Sequence, residues 1–209
     1  MNQSNFQGAL VRAQPRRDTR GAARRRRIFK SLHDCIIRKG YIKTTLADIA
    51  EQAGMSASHL LYYFKGKEDI LEQYFSNVSV RFLERIDAMD ELAPEEQIRA
   101  LADLWFKGET SARREIGFML ECFGAAVHDR TLKRTKTGFD RQCKGWLRDV
   151  FEEAPEPLLG TPADAAEIAY STMIGLRAAV YFDHRMSLKE AHRLFLETLL
   201  TMGGFNAPG

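Results

Sequence analysis

The sequence predicts an all-α protein, and three observations support that prediction. Apolar residues recur at helical spacing along most of the chain, glycine and proline separate the periodic segments, and no segment alternates apolar and polar residues as a strand does. With 209 residues, 44% of them apolar, the chain is long enough to bury a sizeable core in one long domain or two small ones.

The chain begins with a polar, basic segment. Residues 1–21 lack apolar periodicity and are predicted to form a mobile basic arm. From about residue 22 the pattern becomes helical, and Gly40 ends the first helix. Four apolar residues form one stripe of this helix at i, i+4, i+7 and i+8, which places the cysteine among them in the core: Ile28, Leu32, Cys35 and Ile36.

Two short helices follow around a tight turn. Thr45 and Asp48 have the spacing of a capping box, with Asp in place of the usual Glu, and they predict the start of a helix that Gly54 ends. Ser56 is then a fresh N-cap for a helix over 57–64.

The rest of the chain consists of longer amphipathic helices separated by breaks. A helix after Gly66 joins the two halves of the chain and is the expected lever between them. The helices are predicted near residues 67–88, 95–107, 112–126, 131–153, 163–185 and 188–202.

The net charge of +3 conceals an uneven distribution. Residues 1–43 contain twelve Lys or Arg against two acids, a balance of +10, and the other 166 residues contain 19 bases and 26 acids, a balance of −7. This asymmetry indicates a polyanionic partner at the basic end, either nucleic acid or an anionic membrane surface.

Several classes of protein are disfavoured. No apolar stretch is long enough to span a bilayer or to form a signal peptide, so we expect a cytoplasmic protein that does not associate with a membrane. The cysteines Cys35, Cys122 and Cys143 form no CxxC pair, and no HExxH motif or phosphate-binding glycine loop occurs. We therefore expect no metal, no cofactor and no enzymatic activity.

The two short helices have the spacing of a helix-turn-helix, which places its second helix in the major groove of DNA. On a helical wheel of residues 57–64, Ser58, His59 and Tyr62 project from the side opposite Leu60 and Phe64. A face of Ser, His and Tyr suits base edges and phosphates, whereas an ordinary solvated face is rich in Glu and Lys.

The segment that contains these two short helices resembles the DNA-binding domain of TetR-family transcriptional regulators. The resemblance runs from Arg27 to Leu71 and implies an N-terminal three-helix DNA-binding domain, followed by an all-helical ligand-binding and dimerisation domain. The matching segments are Gly40-Tyr41, Thr44-Thr45, Asp48-Ile49-Ala50, Ala53-Gly54-Met55-Ser56, Leu60-Leu61-Tyr62-Tyr63-Phe64 and Lys67-Glu68.

The resemblance also implies roles for individual residues. Ser58, His59 and Tyr62 match the DNA-facing part of the recognition helix, and Tyr63 and Lys67 match positions that hold phosphates. Leu61 departs from the family pattern, since most members have Tyr there, so a contact to a thymine methyl replaces a hydroxyl contact. The full predicted DNA-binding set is Arg24, Arg25, Thr44, Thr45, Ser56, Ser58, His59, Leu61, Tyr62, Tyr63 and Lys67.

The second half of the chain supplies bulky apolar side chains for a ligand pocket or for plain core. Arg177 lies within an apolar run and needs an acidic partner, water or an anionic effector. We interpret it as a salt bridge with Glu167, Glu190 or Glu197 at the dimer seam. The predicted ligand-binding residues are Trp105, Phe118, Cys122, Phe123, Trp146, Tyr170, Met173 and Arg177.

The last two predicted helices are candidates for a dimer interface, because two such helices and their copies make a four-helix bundle.

The predicted organisation is an arm over 1–21, a helix-turn-helix domain over 22–66 and an effector-binding and dimerisation domain over 67–209. The predicted function is that of a homodimeric repressor released from a palindromic double-stranded DNA operator by an unidentified small molecule. The alternatives are an effector-independent architectural DNA binder, a protein of the membrane surface and a helical enzyme. The residues expected at the dimer interface are Ala165, Ala169, Thr172, Gly175, Ala178, Ala179, Leu188, Ala191, Phe195, Leu199 and Met202.

Overall fold

The computed structural model describes residues 20–108, 113–155 and 160–205, and its secondary structure over these ranges is entirely helical. The arm predicted over residues 1–21 lies outside them except at its last two positions. The helices are α1 Arg20–Lys39, α2 Leu46–Gln52, α3 Ala57–Leu61, α4 Lys67–Asp87, α5 Pro94–Phe106, α6 Arg113–His128, α7 Arg130–Glu152, α8 Pro162–Phe182 and α9 Leu188–Met202. The all-α prediction is confirmed.

Local capping explains most of the helix boundaries. The Asp129 side chain accepts hydrogen bonds from the backbone of Thr131 and Leu132, which separates α6 from α7. Ser187 caps α9 by accepting from the backbone N–H of Glu190. These caps satisfy N–H groups that have no partner within the first turn of a helix.

Two predicted boundaries are wrong by three residues. The first helix includes Gly21, which the sequence assigned to the arm; this is tolerable because a glycine costs a helix only about 1 kcal/mol. The third helix ends at Leu61 instead of residue 64. The eighth ends at Phe182 instead of residue 185, because Asp183 has an extended backbone and its carboxylate accepts the N–H of Arg185.

The buried apolar residues form two clusters. The N-terminal core joins α1, α2, α3 and the start of α4 to parts of α6 and α7. The C-terminal core joins the second half of α4 to α5, the start of α6, α7, α8 and α9. The N-terminal core consists of Ile28, Leu32, Ile36, Ile49, Ala50, Ala53, Leu60, Phe64, Ile70, Leu71, Phe118, Cys122, Ala126 and Leu132.

Helices α4, α6 and α7 each belong to both cores. In α4, Ile70 lies in the N-terminal core and Phe82 in the C-terminal core. In α6, Phe118 and Cys122 lie in the N-terminal core, whereas Ile116 lies in the C-terminal core. In α7, Leu132 lies in the N-terminal core and Leu147 in the C-terminal core. The connection between the two halves of the molecule is therefore made by three helices, of which only α4 was expected from the sequence.

Candidate nucleic-acid interface and effector cavity

The start of α2 is held by the predicted capping box. The Thr45 hydroxyl accepts a hydrogen bond from the backbone N–H of Asp48 at 3.2 Å, and the Asp48 carboxylate accepts from the backbone N–H of Thr45 at 2.7 Å. Lys39, the last residue of α1, lies 2.5 Å from the same carboxylate. These contacts, first of all that to Lys39, lower the pKa of Asp48, so the carboxylate stays ionised and joins α1 to α2.

Helix α3 presents the predicted recognition residues to solvent. Ser56 caps the helix by accepting from the backbone of His59, and Gly54 makes the preceding turn at φ 65°. Ser58 and Leu61 are exposed, and the Tyr62 side chain is 82% exposed. An exposed tyrosine beside an exposed leucine is an unusual solvated face, and it fits contact with the edges of bases.

The end of α3 explains why the helix is shorter than expected. The backbone N–H groups of Tyr62 and Tyr63 bond to the carbonyls of His59 and Leu60, three residues earlier, which tightens the last turn. This turn buries Phe64 in the N-terminal core. Tyr62 and Tyr63 are left edge to face with ring centroids 5.2 Å apart.

The Thr44 side chain is only 1% exposed, so the structure does not bring it to the predicted interface. Its hydroxyl donates to the carbonyl of Gly40 at 2.8 Å and closes the turn after α1. Gly40 itself has φ 79°, a conformation that favours glycine. The adjacent Thr45 is exposed, with its hydroxyl committed to the α2 cap.

The predicted phosphate contacts lie beside α3. Arg24 donates to the Tyr63 hydroxyl at 3.2 Å, and Arg25 donates to Gln73 at 2.9 Å while lying over the Phe64 ring. The first turns of α1 therefore bring two arginines against the end of the recognition helix, where positive charge favours phosphate.

Lys67 has a different environment from the two arginines. Its ammonium donates to the Tyr41 carbonyl at 3.0 Å and lies 4.2 Å from the centroid of the Tyr41 ring. Lys67 therefore holds the turn after α1 against the start of α4. Its positive charge remains on the side of the molecule that carries α3.

The second candidate site is a cavity of about 120 Å³ within the helices of the C-terminal half. Its wall is almost entirely apolar and aromatic, which is the usual lining of a small-molecule site. The lining residues are Tyr74, Phe75, Val78, Ser79 and Phe82 of α4, Trp105 of α5, Glu115, Phe118, Met119, Cys122 and Phe123 of α6, Phe139 of α7, and Tyr170, Ile174 and Arg177 of α8.

The cavity includes six of the eight predicted ligand residues and excludes Trp146 and Met173. Trp146 donates to Asp90 at 2.7 Å, and Met173 is buried in the C-terminal core. Sequence reasoning missed the contribution of α4, because it treated that helix only as the lever between the two halves. The predicted ligand set also lacks Phe139, whose ring packs edge to face against those of Phe75 and Phe82.

Arg177 is buried in the wall of the cavity and is 3% exposed. It donates to the backbone carbonyl of Trp105 at 2.6 Å, and its guanidinium lies 5.4 Å from the Trp105 ring. Burial lowers the pKa of Arg177 to about 10, since desolvation disfavours the charged form.

The predicted salt bridge of Arg177 is wrong within this chain. Glu167 pairs with Lys144 at 2.6 Å, and Glu190 and Glu197 both pair with Arg193. All three glutamates have their cation on the protein surface, whereas Arg177 points inward. A helical wheel of α8 does not distinguish these cases, because the helix is apolar on most of its sides.

Helix α6 connects the cavity directly to α1. Glu115 lines the cavity, and one of its oxygens lies 2.8 Å from Nε2 of His33. His33 is buried, and its ring lies 4.6 Å from that of Phe118, another residue of the cavity wall. The hydrogen bond to His33 is the main cause that lowers the pKa of Glu115.

A second contact from α6 reaches the turn before the helix-turn-helix. The backbone N–H of Tyr41 donates to a carboxylate oxygen of Glu121 at 2.8 Å. Glu115 and Glu121 thus attach α6 to both the middle and the end of α1.

The predicted dimer helices divide into an inner and an outer face. Buried within the chain, and so unable to form an interface, are Ala165, Ala169, Ala191, Phe195, Leu199 and Met202. The outer face of α8 instead exposes Gly175 together with two large apolar side chains, Ile168 at 41% and Phe182 at 70%.

The structure was searched for membrane-spanning helices and for groups of metal-binding side chains. Among the described residues, no helix is long and apolar enough to cross a membrane. Over the same part of the chain, no group of three or more His, Cys, Asp or Glu side chains is arranged to hold a metal ion.

Comparison with known proteins relates both halves of the chain to transcriptional regulators. A family model described as bacterial regulatory proteins of the tetR family matches residues 28–74. A model described as the C-terminal part of BetI-type transcriptional repressors matches residues 94–203.

Curated relatives are similar at low identity. The chain is 27% identical to the HTH-type transcriptional regulator BetI of Vibrio vulnificus over 115 residues, which are 53% of this chain and 58% of that protein. It is 24% identical to BetI of Escherichia coli over 164 residues, covering 75% of this chain and 83% of that protein. The match thus spans less than two thirds of the Vibrio protein and more than two thirds of the Escherichia protein.

Solved structures share the fold. A transcriptional regulator from Saccharomonospora viridis, solved in complex with choline, superposes with a TM-score of 0.76 at 20% identity, covering 86% of this chain and 96% of that one. The C-terminal family model alone spans more than half of the 209 residues. The chain therefore belongs to the TetR family of transcriptional regulators, with a C-terminal region of the BetI type.

Proposed function

We propose that this protein is a homodimeric repressor that binds a palindromic DNA operator through α3 and is released when a small molecule occupies the cavity. In this proposal residues 22–66 read DNA, and residues 67–209 bind the effector and dimerise. The observation that carries it is the position of α6, which lines the cavity with Glu115 and contacts α1 through the same side chain.

Two sets of residues divide the work at the DNA. Ser58, His59 and Tyr62 are the proposed base contacts, because Ser58 and Tyr62 are exposed on α3 and at its C-cap and His59 is half-buried beside them. Arg24 and Tyr63 form a hydrogen-bonded pair at the end of α3, and they are the proposed contacts to phosphate.

A gel-shift experiment tests this division. The 209-residue chain is titrated onto the DNA that flanks its gene, with random-sequence DNA as competitor. The Tyr62→Ala variant should change which operator bases are preferred, with about 1–3 kcal/mol lost for each base contact. The Tyr63→Phe variant removes only a hydroxyl and should weaken binding to all sequences alike.

The matched control is Arg99→Ala, a surface position of α5 paired with Glu95 far along the chain from α3. It should bind DNA as the parent chain does. Competition by random DNA as effective as by the flanking DNA would refute the operator proposal and favour an architectural binder.

The dimer proposal rests on the outer face of α8. A four-helix bundle of α8, α9 and their copies would bury Ile168 and Phe182, which are exposed in the single chain. Two recognition helices would then meet half-sites about one helical turn of DNA apart, or a modest multiple of it.

Sedimentation of a Phe182→Glu variant tests the interface. A charge in the core of the interface should produce monomers and abolish operator binding. The control Glu84→Lys, at an exposed position of α4, should leave the dimer intact. A dimer of unchanged stability in Phe182→Glu would exclude this face of α8.

A further inference from the structure

The two charged side chains in the cavity wall compensate each other. Burial lowers the pKa of Arg177, and the negative charge of Glu115, its acidic neighbour in the wall, opposes this effect. Arg177 also donates to the backbone carbonyl of Trp105 at 2.6 Å. The pair brings no net charge to the cavity, so neither an anion nor a cation would meet an uncompensated charge of opposite sign there.

Other polar atoms of the wall are engaged by the protein as well. One oxygen of Glu115 lies 2.8 Å from Nε2 of His33, and the other accepts from Arg114 at 2.9 Å. The Tyr170 hydroxyl donates to Asp140 of α7 at 2.5 Å. A charged ligand would lose its hydration in this cavity without gaining a partner of its own, whereas an apolar ligand has no such cost.

The rest of the wall restricts the size of a ligand. The cavity measures about 120 Å³, and an apolar protein cavity of about 150 Å³ is known to hold benzene. Phe82, Phe118 and Phe139 supply aromatic surface around this space. A compact apolar molecule of about one ring fits it.

We propose that the effector is a small uncharged aromatic molecule of about one ring, held in the cavity by apolar contact instead of by a charge. This inference rests on the proposed function, because it names the chemical class of the molecule that occupies the regulatory cavity. It also separates this chain from the Saccharomonospora viridis regulator solved in complex with choline, which is a cation. In this chain Glu115, the acidic side chain of the wall, already has Arg177 and His33 as neighbours.

A series of aromatic rings leads from the cavity to the end of α3. Tyr74 and Phe118 line the cavity with their ring centroids 5.3 Å apart. The ring of Phe29 in α1 lies 5.6 Å from that of Tyr74 and 5.6 Å from that of Phe64. Phe64 is buried directly after α3, so a ligand that shifts Tyr74 acts through packed side chains on the segment proposed to contact DNA.

The test uses ligands of one ring and different charge. Toluene, benzoate and benzylammonium are titrated into the 209-residue chain with the substitution Trp146→Phe, which leaves Trp105 as the fluorescent reporter in the cavity wall. We expect toluene to bind about tenfold or more tightly than either ion, because only the ions lose hydration without gaining a partner. Val78→Phe adds bulk to the cavity wall and should abolish the binding of toluene.

Two further variants test the compensation of charge. Glu115→Gln removes the negative charge and leaves that of Arg177, so benzoate should gain about tenfold in affinity relative to toluene. Adding Arg177→Met to this variant should remove the gain, which separates a charge effect from a folding defect. Glu95→Gln, which removes a surface acid of α5, should leave the preference for toluene unchanged. Helicity and thermal midpoint are measured for each variant.

Binding of either ion as tight as that of toluene, no binding of toluene at millimolar concentration, or no gain for benzoate in a folded Glu115→Gln variant would each overturn the inference. A parallel operator-release assay separates it from the proposed function. Release of DNA by choline and not by toluene would retain an effector-controlled repressor and refute the uncharged effector. Selective binding of toluene without release by any of the ligands would retain the class of ligand and contradict the proposed function.

Discussion

The proposed DNA-binding end, which carries α2 and α3, and the cavity differ in how far apart along the sequence their contacting residues lie. At the DNA-binding end, Thr45 bonds to Asp48 and Thr44 bonds to Gly40, three and four residues apart. At the cavity, Arg177 bonds to Trp105 across 72 residues and His33 meets Glu115 across 82. The caps depend on neighbouring residues, although Arg24 also reaches Tyr63 across 39 residues, whereas the cavity exists only where five helices meet.

In the proposed repressor, this difference would let one chain combine a DNA-contacting surface built largely from local caps with an effector cavity built from distant helices. Local caps fix the starts of α2 and α3, whereas the end of α3 also depends on the burial of Phe64 in the N-terminal core. The cavity is lined by α4, α6 and α7, and each of these helices also places residues in the N-terminal core, so a movement of any of them would reach that core. Three predictions follow, each designed to challenge the contrast between a local surface and a shared site.

The largest effect is expected from Phe64→Ala in the N-terminal core. Removing a fully buried phenylalanine should lower the free energy of unfolding by about 3–5 kcal/mol. Urea unfolding is followed by helical circular dichroism and by the fluorescence of Trp105 and Trp146, which both lie in or against the C-terminal core. Because α4 and α6 belong to both cores, both signals should report the same lowered midpoint.

Phe151→Ala is the matched control, since it removes the same side chain from the C-terminal core. It should lower the midpoint of both signals by a similar amount. Two separate transitions in Phe64→Ala, with the tryptophan signal unaltered, would show that the cores unfold independently.

An intermediate effect is expected from Glu115→Gln, which alters the contact between the two regions. At neutral pH the free energy of unfolding should fall by about 1.5 kcal/mol, because a charged hydrogen bond to His33 is replaced by a neutral one. The folded-state pKa of Glu115 is lowered, so its contribution to stability is present above the ordinary glutamate range and is lost as the pH falls through the lowered value.

Urea unfolding of the variant and the parent chain, at neutral pH and near pH 3, measures this dependence. The two chains should differ at neutral pH and converge at the acidic one. An equal difference at both pH values would mean that ionised Glu115 does not stabilise the folded protein.

The smallest effect is expected from removing the two capping boxes, one in each region. Thr45→Ala at α2 and Thr161→Ala at α8 should each cost about 1 kcal/mol, because both hydroxyls accept the same N3 backbone bond at 3.2 Å. Only Thr45→Ala should also weaken operator binding, as measured by gel shift. Equal loss of DNA affinity in both variants would contradict a locally organised reading surface.

Sequence reasoning succeeded where the cause was local. The α2 capping box, the Ser56 cap and the positive φ of Gly54 were all predicted from three or four neighbouring residues. The burial of Cys35 followed from a single helical stripe. The end of α3 was misjudged, because the three-residue bonds of Tyr62 and Tyr63 follow from the burial of Phe64 in a core that many helices build.

The cavity was predicted only in part, for a physical reason. A helical period shows that a residue is apolar and on a given face, but not which neighbouring helix that face meets. Trp146 and Tyr170 are equally aromatic, and only packing places one outside the cavity and the other in its wall. The same ambiguity assigned buried residues such as Phe195 to a dimer interface.

The sharing of α6 between the two cores limits how such a protein can be recombined. A chimera cut at Gly66 would transfer α1 to α3 without Phe118, Cys122, Ala126 and Leu132, the side chains that complete their core. The transplanted segment would expose an apolar surface unless the recipient's own α6 covered it. If the proposed repressor is to respond to a new effector, residues of the cavity wall should therefore be exchanged, because grafting the whole DNA-binding domain would disrupt its core.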